Sequence, residues 1–350
     1  MMKKIRIAQI GTSENSHGNA VFHSLKKQSD IFEVAGFALP EHEREKFPRQ
    51  MGEFEGYREM TVEDILNDRS IEAVAVETEE LYLTQYALLA AEHGKHIHME
   101  KPGGVGLADF TRLIERVRRN GTVFHTGYMY RYNPEIQRLF SRIDVGELGE
   151  IVSVEAQMNC YHSDAIRKWM ECLPGGMMFF LGCHLVDLVL RLMGRPEEII
   201  PFNMSTRLGG ISSVDFGMAV FRYPRGISFI KAADVEAGGY AMRQLVVAGT
   251  KGTAEIKPLE MLEGHVERDG QFAESRLYRN PENWLDRGEK HVSARFDRYD
   301  GMLRAFAEYV SGSRQNPYTL DYELELYKTV LQCCGIKDKE TVHHESNTDQ

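Results

Sequence analysis

Short apolar segments alternate with helix-forming segments throughout the first third of the sequence. Each apolar run has six to eight residues, the length of a buried strand. Strands that alternate with helices in this way form right-handed βαβ units, which build a parallel sheet. The predicted strands are IRIAQIG (5–11), FEVAGFAL (32–39), IEAVAVET (71–78), KHIHME (95–100) and TVFHTGYM (122–129). We therefore expect an α/β protein with an N-terminal Rossmann domain, that is, a doubly wound parallel sheet.

Beyond about residue 130 the apolar pattern changes to a period of two. In the segment IVSVEAQMNC (151–160) apolar and polar side chains alternate, as in a strand with one packed and one polar face. Segments 217–235 and 243–257 each contain two strand-like runs joined by a glycine-containing turn, which predicts two hairpins. This pattern favours an α+β domain with a large, mostly antiparallel open sheet. The predicted boundaries are residues 1–126 for the first domain, 127–338 for the second and 339–350 for a polar tail.

Charge and composition exclude several classes of function. The 350-residue chain has a net charge of −10, and phosphate backbones are bound by basic surfaces, so no nucleic-acid partner is expected. No apolar run approaches the length of a membrane span, and the basic start of the chain is too short for a signal peptide. We therefore expect a cytoplasmic protein with no membrane partner. The five cysteines are irregularly spaced and include no Cys-x-x-Cys pair, which predicts neither a disulfide framework nor a metal site.

The carboxyl ends of the predicted parallel strands indicate where a ligand would bind. The first four strands end at Gly11, Leu39, Thr78 and Lys101. Gly11 also opens a helix whose N-terminal amides would face a pyrophosphate, so a dinucleotide is the predicted ligand. At the end of the fourth strand a carboxylate precedes Lys101 and a proline follows it. The sequence therefore places a candidate acid–base pair beside the predicted cofactor.

Three motifs together resemble the Gfo/Idh/MocA family of glucose–fructose oxidoreductase, inositol dehydrogenase and rhizopine-catabolism proteins. They are MEKPGG (99–104), GYMYRYNP (127–134) and PGGMMFFLGCHLVDLVLRLMG (174–194), and the resemblance spans about residues 3–257. It implies a dehydrogenase that uses NAD or NADP and acts on a sugar, cyclitol or related polyol. In this family the open sheet of the second domain commonly mediates contacts between subunits, so a homodimer or homotetramer is expected.

The resemblance also implies roles for individual residues. Lys101 matches the lysine that hydrogen-bonds the reacting hydroxyl, and His184 matches the acid–base imidazole. Glu100 is expected near the nicotinamide ribose, Pro102 is expected to fix the turn, often with a cis peptide, and Arg131 is expected at the substrate. A partly dehydrated lysine beside a cationic nicotinamide has a lowered pKa, which suits a base near neutral pH. Histidine titrates in this range without such help.

Further candidates have two interpretations each. Asp187 lies three residues after His184 on a predicted helix, so its carboxylate is expected either to orient the catalytic ring or to brace the helix. Arg131 could instead lock the two domains together through carboxylates. Tyr161, His162 and Trp169 lie between the first strand of the second domain and a glycine pair, where they would either form a wall that stacks on a sugar or pack in the protein.

The predicted cofactor-binding residues depart from the family pattern at several positions. The loop GTSENSHG has serine at both later glycine positions, which leaves Gly18 as a displaced third glycine. Leu39 stands where a carboxylate usually binds the adenosine ribose, so the choice between NAD and NADP stays open. Glu79 and Glu80 follow the third strand and would repel a pyrophosphate unless they point elsewhere. The predicted cofactor contacts are Gly11, Thr12, Ser13, Gly18, Leu39, Thr78, Glu100, Lys101 and Pro102.

Phe180 is the departure that bears most directly on activity. Relatives of the inositol dehydrogenase type carry aspartate four residues before the histidine, and an apolar ring cannot accept a proton. Three hypotheses follow. The chain is a dehydrogenase in which Lys101 and His184 suffice, or a relative that binds a dinucleotide or sugar without hydride chemistry. The third is a glycosidase that oxidises its substrate transiently with tightly held NAD.

Overall fold

The computed structural model describes residues 4–262, 270–280 and 282–336. Its first sheet has five strands: β1 (Ile5–Ile10), β2 (Phe32–Ala38), β3 (Ala73–Val76), β4 (His96–Met99) and β5 (Phe124–Thr126). All neighbouring strands are parallel, in the order β2-β1-β3-β4-β5, which confirms the predicted parallel sheet. Every residue of β3 is buried, as expected for a strand covered on both faces.

The connections between these strands contain helices α1 (Gly18–Lys27), α2 (Glu43–Lys46), α3 (Val62–Asn67), α4 (Leu83–Glu92) and α5 (Leu107–Asn120). Local sequence sets their ends. α3 begins with a capping box in which the Thr61 and Asp64 side chains each bind the other's backbone amide. α5 ends at Gly121, whose φ of +65° is readily adopted by glycine.

In the part of the chain described, the second sheet contains eight strands: β6 (Ile151–Gln157), β7 (Glu198–Met204), β8 (Phe216–Tyr223), β9 (Gly226–Ala233), β10 (Gln244–Gly249), β11 (Thr253–Ile256), β14 (Glu274–Tyr278) and β15 (Glu289–Val292). The short strands β12 (Met261–Leu262) and β13 (Gln271–Phe272) form a separate pair. The order in the second sheet is β15-β14-β11-β10-β6-β9-β8-β7. Among the described strands of this sheet only β6 and β9 pair in parallel. The predictions of a mostly antiparallel sheet and of two hairpins, β8–β9 and β10–β11, are confirmed.

The remaining helices are α6 (Pro134–Asp144), α7 (Asp164–Trp169), α8 (Cys183–Met193), α9 (Asp300–Val310) and α10 (Leu320–Cys333). α6 begins where the Asn133 side chain accepts hydrogen bonds from two backbone amides, with proline at the first helical position. α8 continues from a π-helical turn (Met178–Gly182) and is buried from Cys183 to Leu190. It therefore forms the centre of the second domain's core.

The last two helices return to the first domain. Ser24 on α1 donates a 2.6 Å hydrogen bond to Asp300 on α9, and the Tyr327 hydroxyl on α10 donates to the carbonyl of Gly104 at 2.9 Å. The apolar core runs continuously from the parallel sheet through α8 to α10. The predicted boundary at 126/127 remains a prediction, and the predicted polar tail lies outside the described residues. None of the described helices is both long and apolar enough to cross a membrane.

Candidate active site

Lys101 lies just beyond β4, at the carboxyl edge of the parallel sheet, and is 1% exposed. Its Nζ donates a hydrogen bond to the carbonyl oxygen of Phe180 at 2.8 Å and lies 4.7 Å from the centre of the Phe180 ring. The Glu100 carboxylate is 3.7 Å from the ammonium. The Lys101–Pro102 peptide bond is cis, as the resemblance implied. The amine therefore points away from solvent and toward the second domain.

His184 is the second residue of α8 and is also 1% exposed. The rings of Tyr128 and Tyr130 meet its imidazole edge to face, with centroids 5.7 and 5.3 Å away. Neither ring nitrogen has a hydrogen-bond partner among the described residues. Burial lowers the pKa of His184 well below its usual value, and the positive charge of Lys101 lowers it further. The imidazole is therefore neutral at pH 7, with one donor and one acceptor nitrogen.

Lys101 is hydrogen-bonded to the turn that leads into the helix of His184, although the two residues are far apart in the sequence. The Phe180 carbonyl that holds the Lys101 ammonium lies about one helical turn before His184. Buried polar atoms usually have hydrogen-bond partners, yet within the described ranges both nitrogens of the imidazole and Oε1 of Glu100 lack one. A hydroxyl group bound between the ammonium and the imidazole would meet a donor on one side and a proton acceptor on the other. This arrangement suits proton movement at a carbinol oxygen.

Asp187 forms no hydrogen bond with the imidazole, so the prediction that it orients His184 is wrong. Its carboxylate instead accepts hydrogen bonds from Nε and Nη2 of Arg131, at 2.9 and 2.8 Å, and from the Tyr322 hydroxyl at 2.8 Å. Spacing of three residues places two side chains on one helix face without fixing how each turns. A guanidinium binds a carboxylate more strongly than a neutral ring does. The bracing interpretation therefore fits Asp187.

Arg131 lies between Asp187 on α8 and Glu323 on α10, and it is 1% exposed. All three guanidinium nitrogens donate to these two carboxylates, with Nη1 2.6 Å from Glu323. The guanidinium also stacks on the Tyr318 ring at 3.8 Å. These contacts correct the prediction that Arg131 meets the substrate. They support the alternative, in which it locks separate segments of the chain together.

The loop between β1 and α1 is held tightly at both glycines. Gly11 has a φ of +88°, and a Cβ there would lie 2.3 Å from Cγ2 of Thr78 at the end of β3. A Cβ at Gly18 would lie 3.0 Å from the Thr12 hydroxyl oxygen. The left-handed φ and the 2.3 Å approach require glycine at position 11, whereas at position 18 only the tight contact with Thr12 favours it. The geometry therefore supports Gly18 as the displaced glycine of a longer loop. The buried residues of this loop are Gly11, Thr12, Ser13 and Gly18.

The carboxylates around this loop carry less negative charge than the sequence suggests. Glu43 accepts a 3.1 Å hydrogen bond from a backbone amide of the loop, and burial raises its pKa to about 9. Burial also raises the pKa of Glu80 to about 7 and that of Glu77 well above its usual value. Glu79 is paired with Lys46 at 3.1 Å. Repulsion of a pyrophosphate is therefore reduced, and the residues fit a bound dinucleotide.

The end of β2 does not distinguish the two nicotinamide cofactors. Leu39 is half-buried against an aromatic cluster around Phe37, so it offers a ribose only apolar contact. Glu41, two residues further on, accepts a 2.7 Å hydrogen bond from the Tyr86 hydroxyl. Because neither residue presents an unengaged carboxylate at the strand end, the choice between NAD and NADP stays open.

Of the three residues predicted to form a wall for a sugar, the structure brings Trp169 and His162 to the Phe180 ring, with the His162 ring centre 6.1 Å away. The half-buried indole of Trp169 meets the Phe180 ring edge to face at 5.3 Å, and that ring covers the Lys101 ammonium. Tyr161 is 62% exposed and forms an isolated β-bridge with Val235. The prediction for Tyr161 is therefore corrected, since it lies outside the buried site.

Sequence reasoning missed a group of charged residues next to the His184 ring. The Glu260 carboxylate accepts hydrogen bonds from Arg243 Nη1 at 2.6 Å, from the Tyr130 hydroxyl at 2.7 Å and from Arg298 Nε at 2.8 Å. Tyr130 lies in the motif GYMYRYNP and could have been found there. The arginines and the glutamate lie in segments without a recognised motif, so only the fold brings them together.

Two family models match the chain, one for each domain. Residues 5–128 match the oxidoreductase family with an NAD-binding Rossmann fold. Residues 136–255 match the GFO/IDH/MocA C-terminal domain. The two matches together cover more than half of the chain, and they assign nicotinamide-dinucleotide binding to the first domain.

Several curated proteins are similar in sequence to parts of this chain. The scyllo-inositol 2-dehydrogenase (NAD(+)) of Bacillus subtilis is 33% identical over 56% of this chain and 58% of its own length. The scyllo-inositol 2-dehydrogenase (NADP(+)) IolW of the same organism is 24% identical over 59% of this chain and 57% of its own. The oxidoreductase YhhX of Escherichia coli is 31% identical over 39% of this chain and 40% of its own. The chain thus spans about half the length of the curated relatives it matches.

Solved structures share the fold over nearly the whole chain. KijD10, a 3-ketoreductase from Actinomadura kijaniata in complex with NADP and TDP-benzene, has a TM-score of 0.76 at 18% identity, covering 94% of this chain and 96% of its own. UDP-N-acetylglucosamine 3-dehydrogenase GnnA from Acidithiobacillus ferrooxidans has a TM-score of 0.74 at 17% identity, covering 95% and 98%. At these identities the likeness establishes the two-domain fold alone.

Proposed function

Because the chain belongs to the GFO/IDH/MocA family of oxidoreductases, we propose that it is an NAD(P)-dependent dehydrogenase acting on a secondary hydroxyl of a sugar, cyclitol or related polyol. One observation carries the proposal. The Lys101 ammonium at the cofactor edge of the first domain donates to the turn that begins the His184 helix in the second. An acid and a base from different domains are therefore available to one substrate oxygen.

The protein's own residues manage the proton in this reaction. NAD(P)+, held by the loop that contains Gly11, would supply the acceptor for the hydride of the carbinol carbon. Lys101 donates a hydrogen bond to the oxygen on that carbon and stabilises negative charge as it develops there. His184, which is neutral, accepts the hydroxyl proton at one ring nitrogen and returns it in the reverse direction.

Phe180 supports Lys101 in place of the aspartate found in some relatives. Its carbonyl accepts the ammonium's hydrogen bond, and its ring makes a cation–π contact with the same group. The side chain cannot take a proton, so the acid–base work falls to Lys101 and His184. Both groups are almost fully buried, and a substrate reaches them only if the elements that cover them move apart.

Lys101→Met tests the assignment. We expect loss of turnover of NAD(P)+ with a panel of polyols and sugars, on the order of 10²-fold or more, because the oxygen loses its charged donor. Lys95→Met is the matched control. Lys95 is also a buried lysine that donates to backbone carbonyls, but it lies at the opposite end of β4.

Three outcomes distinguish a dehydrogenase from a relative that only binds its ligands. Loss of turnover in Lys101→Met with turnover kept in Lys95→Met supports the proposal. Retained turnover in Lys101→Met removes Lys101 from the mechanism. Binding of NADH or NADPH, measured by calorimetry, without turnover of any substrate would favour a relative that binds its ligands and has lost hydride chemistry.

A further inference from the structure

Two nearly buried arginines share a single carboxylate beside the His184 ring. Arg243 Nη1 lies 2.6 Å from Oε1 of Glu260, and Arg298 Nη2 lies 2.8 Å from Oε2. The two arginine side chains are 9% and 11% exposed, and that of Glu260 is 1% exposed. Within the described part of the chain, Glu260 is the one carboxylate paired with either arginine. Arg243 and Arg298 are called the arginine pair, and Glu260 balances only one of their two positive charges.

The other buried arginines are matched differently. Arg131 binds two carboxylates, those of Asp187 and Glu323, as described above. Arg167, which is fully buried, lies 3.4 Å from Asp164, 3.5 Å from Asp215 and 4.0 Å from Asp234. Burying an unbalanced charge is costly, so this fold balances its buried guanidinium groups elsewhere. The arginine pair is the exception, because its two guanidinium groups share one carboxylate. Among the described residues Arg243 Nε has no hydrogen-bond partner, and the same is true of Arg167 Nε, but Arg167 has three carboxylates within 4.0 Å.

The arginine pair lies close to the proposed reaction centre. The Tyr130 ring packs against the His184 imidazole at 5.3 Å, and its hydroxyl donates to Glu260 and lies 3.3 Å from Arg243. One tyrosine side chain therefore separates the imidazole from the guanidinium groups. The pKa of His184 is lowered mainly by burial, then by Lys101 and His17, and to a smaller extent by the positive charges of Arg243 and Arg298.

We infer that the arginine pair binds an anionic substituent of the substrate, a carboxylate or a phosphate, so that the substrate is an acidic sugar rather than a neutral polyol. This inference rests on the proposed function, because it places the substrate at Lys101 and His184. Guanidinium groups bind carboxylates and phosphates through paired N–H donors, and Arg243 Nε is such a donor without a partner. The bound anion balances the second positive charge.

An anion at this place also favours the proton transfer. A negative group beside two guanidinium charges reduces the positive potential at the imidazole, and the pKa of His184 rises toward its usual range. Proton acceptance by His184 becomes easier only when the anionic substrate is present. The arginine pair would then couple recognition of the substrate to the chemistry at its hydroxyl.

Calorimetry with matched sugars tests the inference. Glucuronate and glucose share a ring and differ at the carboxylate, and glucose 6-phosphate supplies the alternative anion. With saturating NADH we expect at least one anionic probe to bind about tenfold or more tightly than glucose, with affinity that falls as salt rises. The preference should be lost in Arg243→Gln and kept in Arg225→Gln, a control on an exposed arginine of the β8–β9 turn.

A second variant separates recognition from folding. Glu260→Gln removes the shared carboxylate and leaves both guanidinium groups, so anion affinity should rise, opposite to the effect of Arg243→Gln. A purely structural cluster predicts that both variants lower affinity alike, and that result would overturn the inference.

The phosphates of the cofactor are the other anion that the arginine pair could bind. A titration with NADH alone distinguishes them from an anionic sugar. NADH titrated without any sugar should bind Arg243→Gln and the wild type equally. Weaker NADH binding with an unchanged preference for anionic sugars would assign the arginine pair to the cofactor phosphates and contradict the inference. All these readouts are binding affinities. A protein that prefers anionic sugars but never turns them over would refute the proposed function and leave the anion site standing.

Discussion

Asp187→Asn is the change that best separates the bracing role of this residue from a catalytic one. In the wild type, Arg131 is held by Asp187 and Glu323 with all three groups at most 2% exposed. Asparagine has nearly the same shape, and its oxygen can still accept from Arg131 and Tyr322. The substitution therefore removes one negative charge and one acceptor oxygen with little change in packing.

The expected loss follows from these contacts. Removing one partner of a buried ion pair typically costs about 3–5 kcal/mol. Two features lessen the loss here: Glu323 still balances the arginine, and Asp187 no longer raises the pKa of Glu323. We therefore expect the free energy of unfolding to fall by about 2–3 kcal/mol. Glu323→Gln, which removes the other carboxylate of the same arginine, should cause a loss of similar size.

Urea unfolding followed by tryptophan fluorescence measures the stability change, and NMR titration of the His184 ring measures the effect on the imidazole. We expect both variants to be less stable than the wild type. Their turnover at 20 °C and the pKa of His184 should stay close to the wild-type values. Suppose instead that Asp187→Asn alone lowers turnover on the order of 10²-fold and shifts the pKa of His184. Asp187 would then orient the ring, and our assignment would be refuted.

Two further predictions concern the cofactor loop and acid stability. Gly11→Ala should weaken NADH binding by about tenfold and destabilise the protein by about 1–2 kcal/mol or more, because of its φ of +88° and the contact with Thr78. Gly56→Ala is the control, since Gly56 has a similar φ of +82° but a Cβ added there would meet no atom within 4 Å. Equal NADH affinity in the two variants would contradict this view of the loop. Burial lowers the pKa of His98 to about 3, whereas the same side chain in the unfolded chain titrates near 6.5. Below pH 6.5 the unfolded state therefore binds more protons than the folded state, and the free energy of unfolding decreases as the pH is lowered. His98 alone should remove about 2 kcal/mol between pH 7.5 and 5, and the slope should flatten in His98→Gln; an unchanged slope would refute this origin.

The sequence was sufficient to predict the sheets because their signals are local. Apolar runs separated by helices define the parallel sheet, and the two-residue period of 151–160 defines a strand of the antiparallel one. The ends of parallel strands must share one edge, so Gly11 and Lys101 could be placed together from topology alone. The match of His184 required a motif, since nothing local relates it to a lysine in the other domain.

The errors arise where several partners compete for one side chain. Helical spacing placed Asp187 and His184 on one face, but an arginine 56 residues earlier takes the carboxylate. Tyr161 follows a predicted strand closely, yet its side chain turns to solvent. Arg243 and Arg298 meet at Glu260 only because three separate segments fold onto the same surface of Tyr130. Such groupings depend on tertiary contacts that periodicity does not report.

A crystal structure with NADH and a substrate analogue bound would test the central claim most directly. We expect the Lys101 amine and one ring nitrogen of His184 to lie about 3 Å from the same oxygen of the analogue, with the dinucleotide against the Gly11 loop. An analogue whose oxygen contacts neither group, or a dinucleotide bound away from that loop, would contradict the proposed dehydrogenase site.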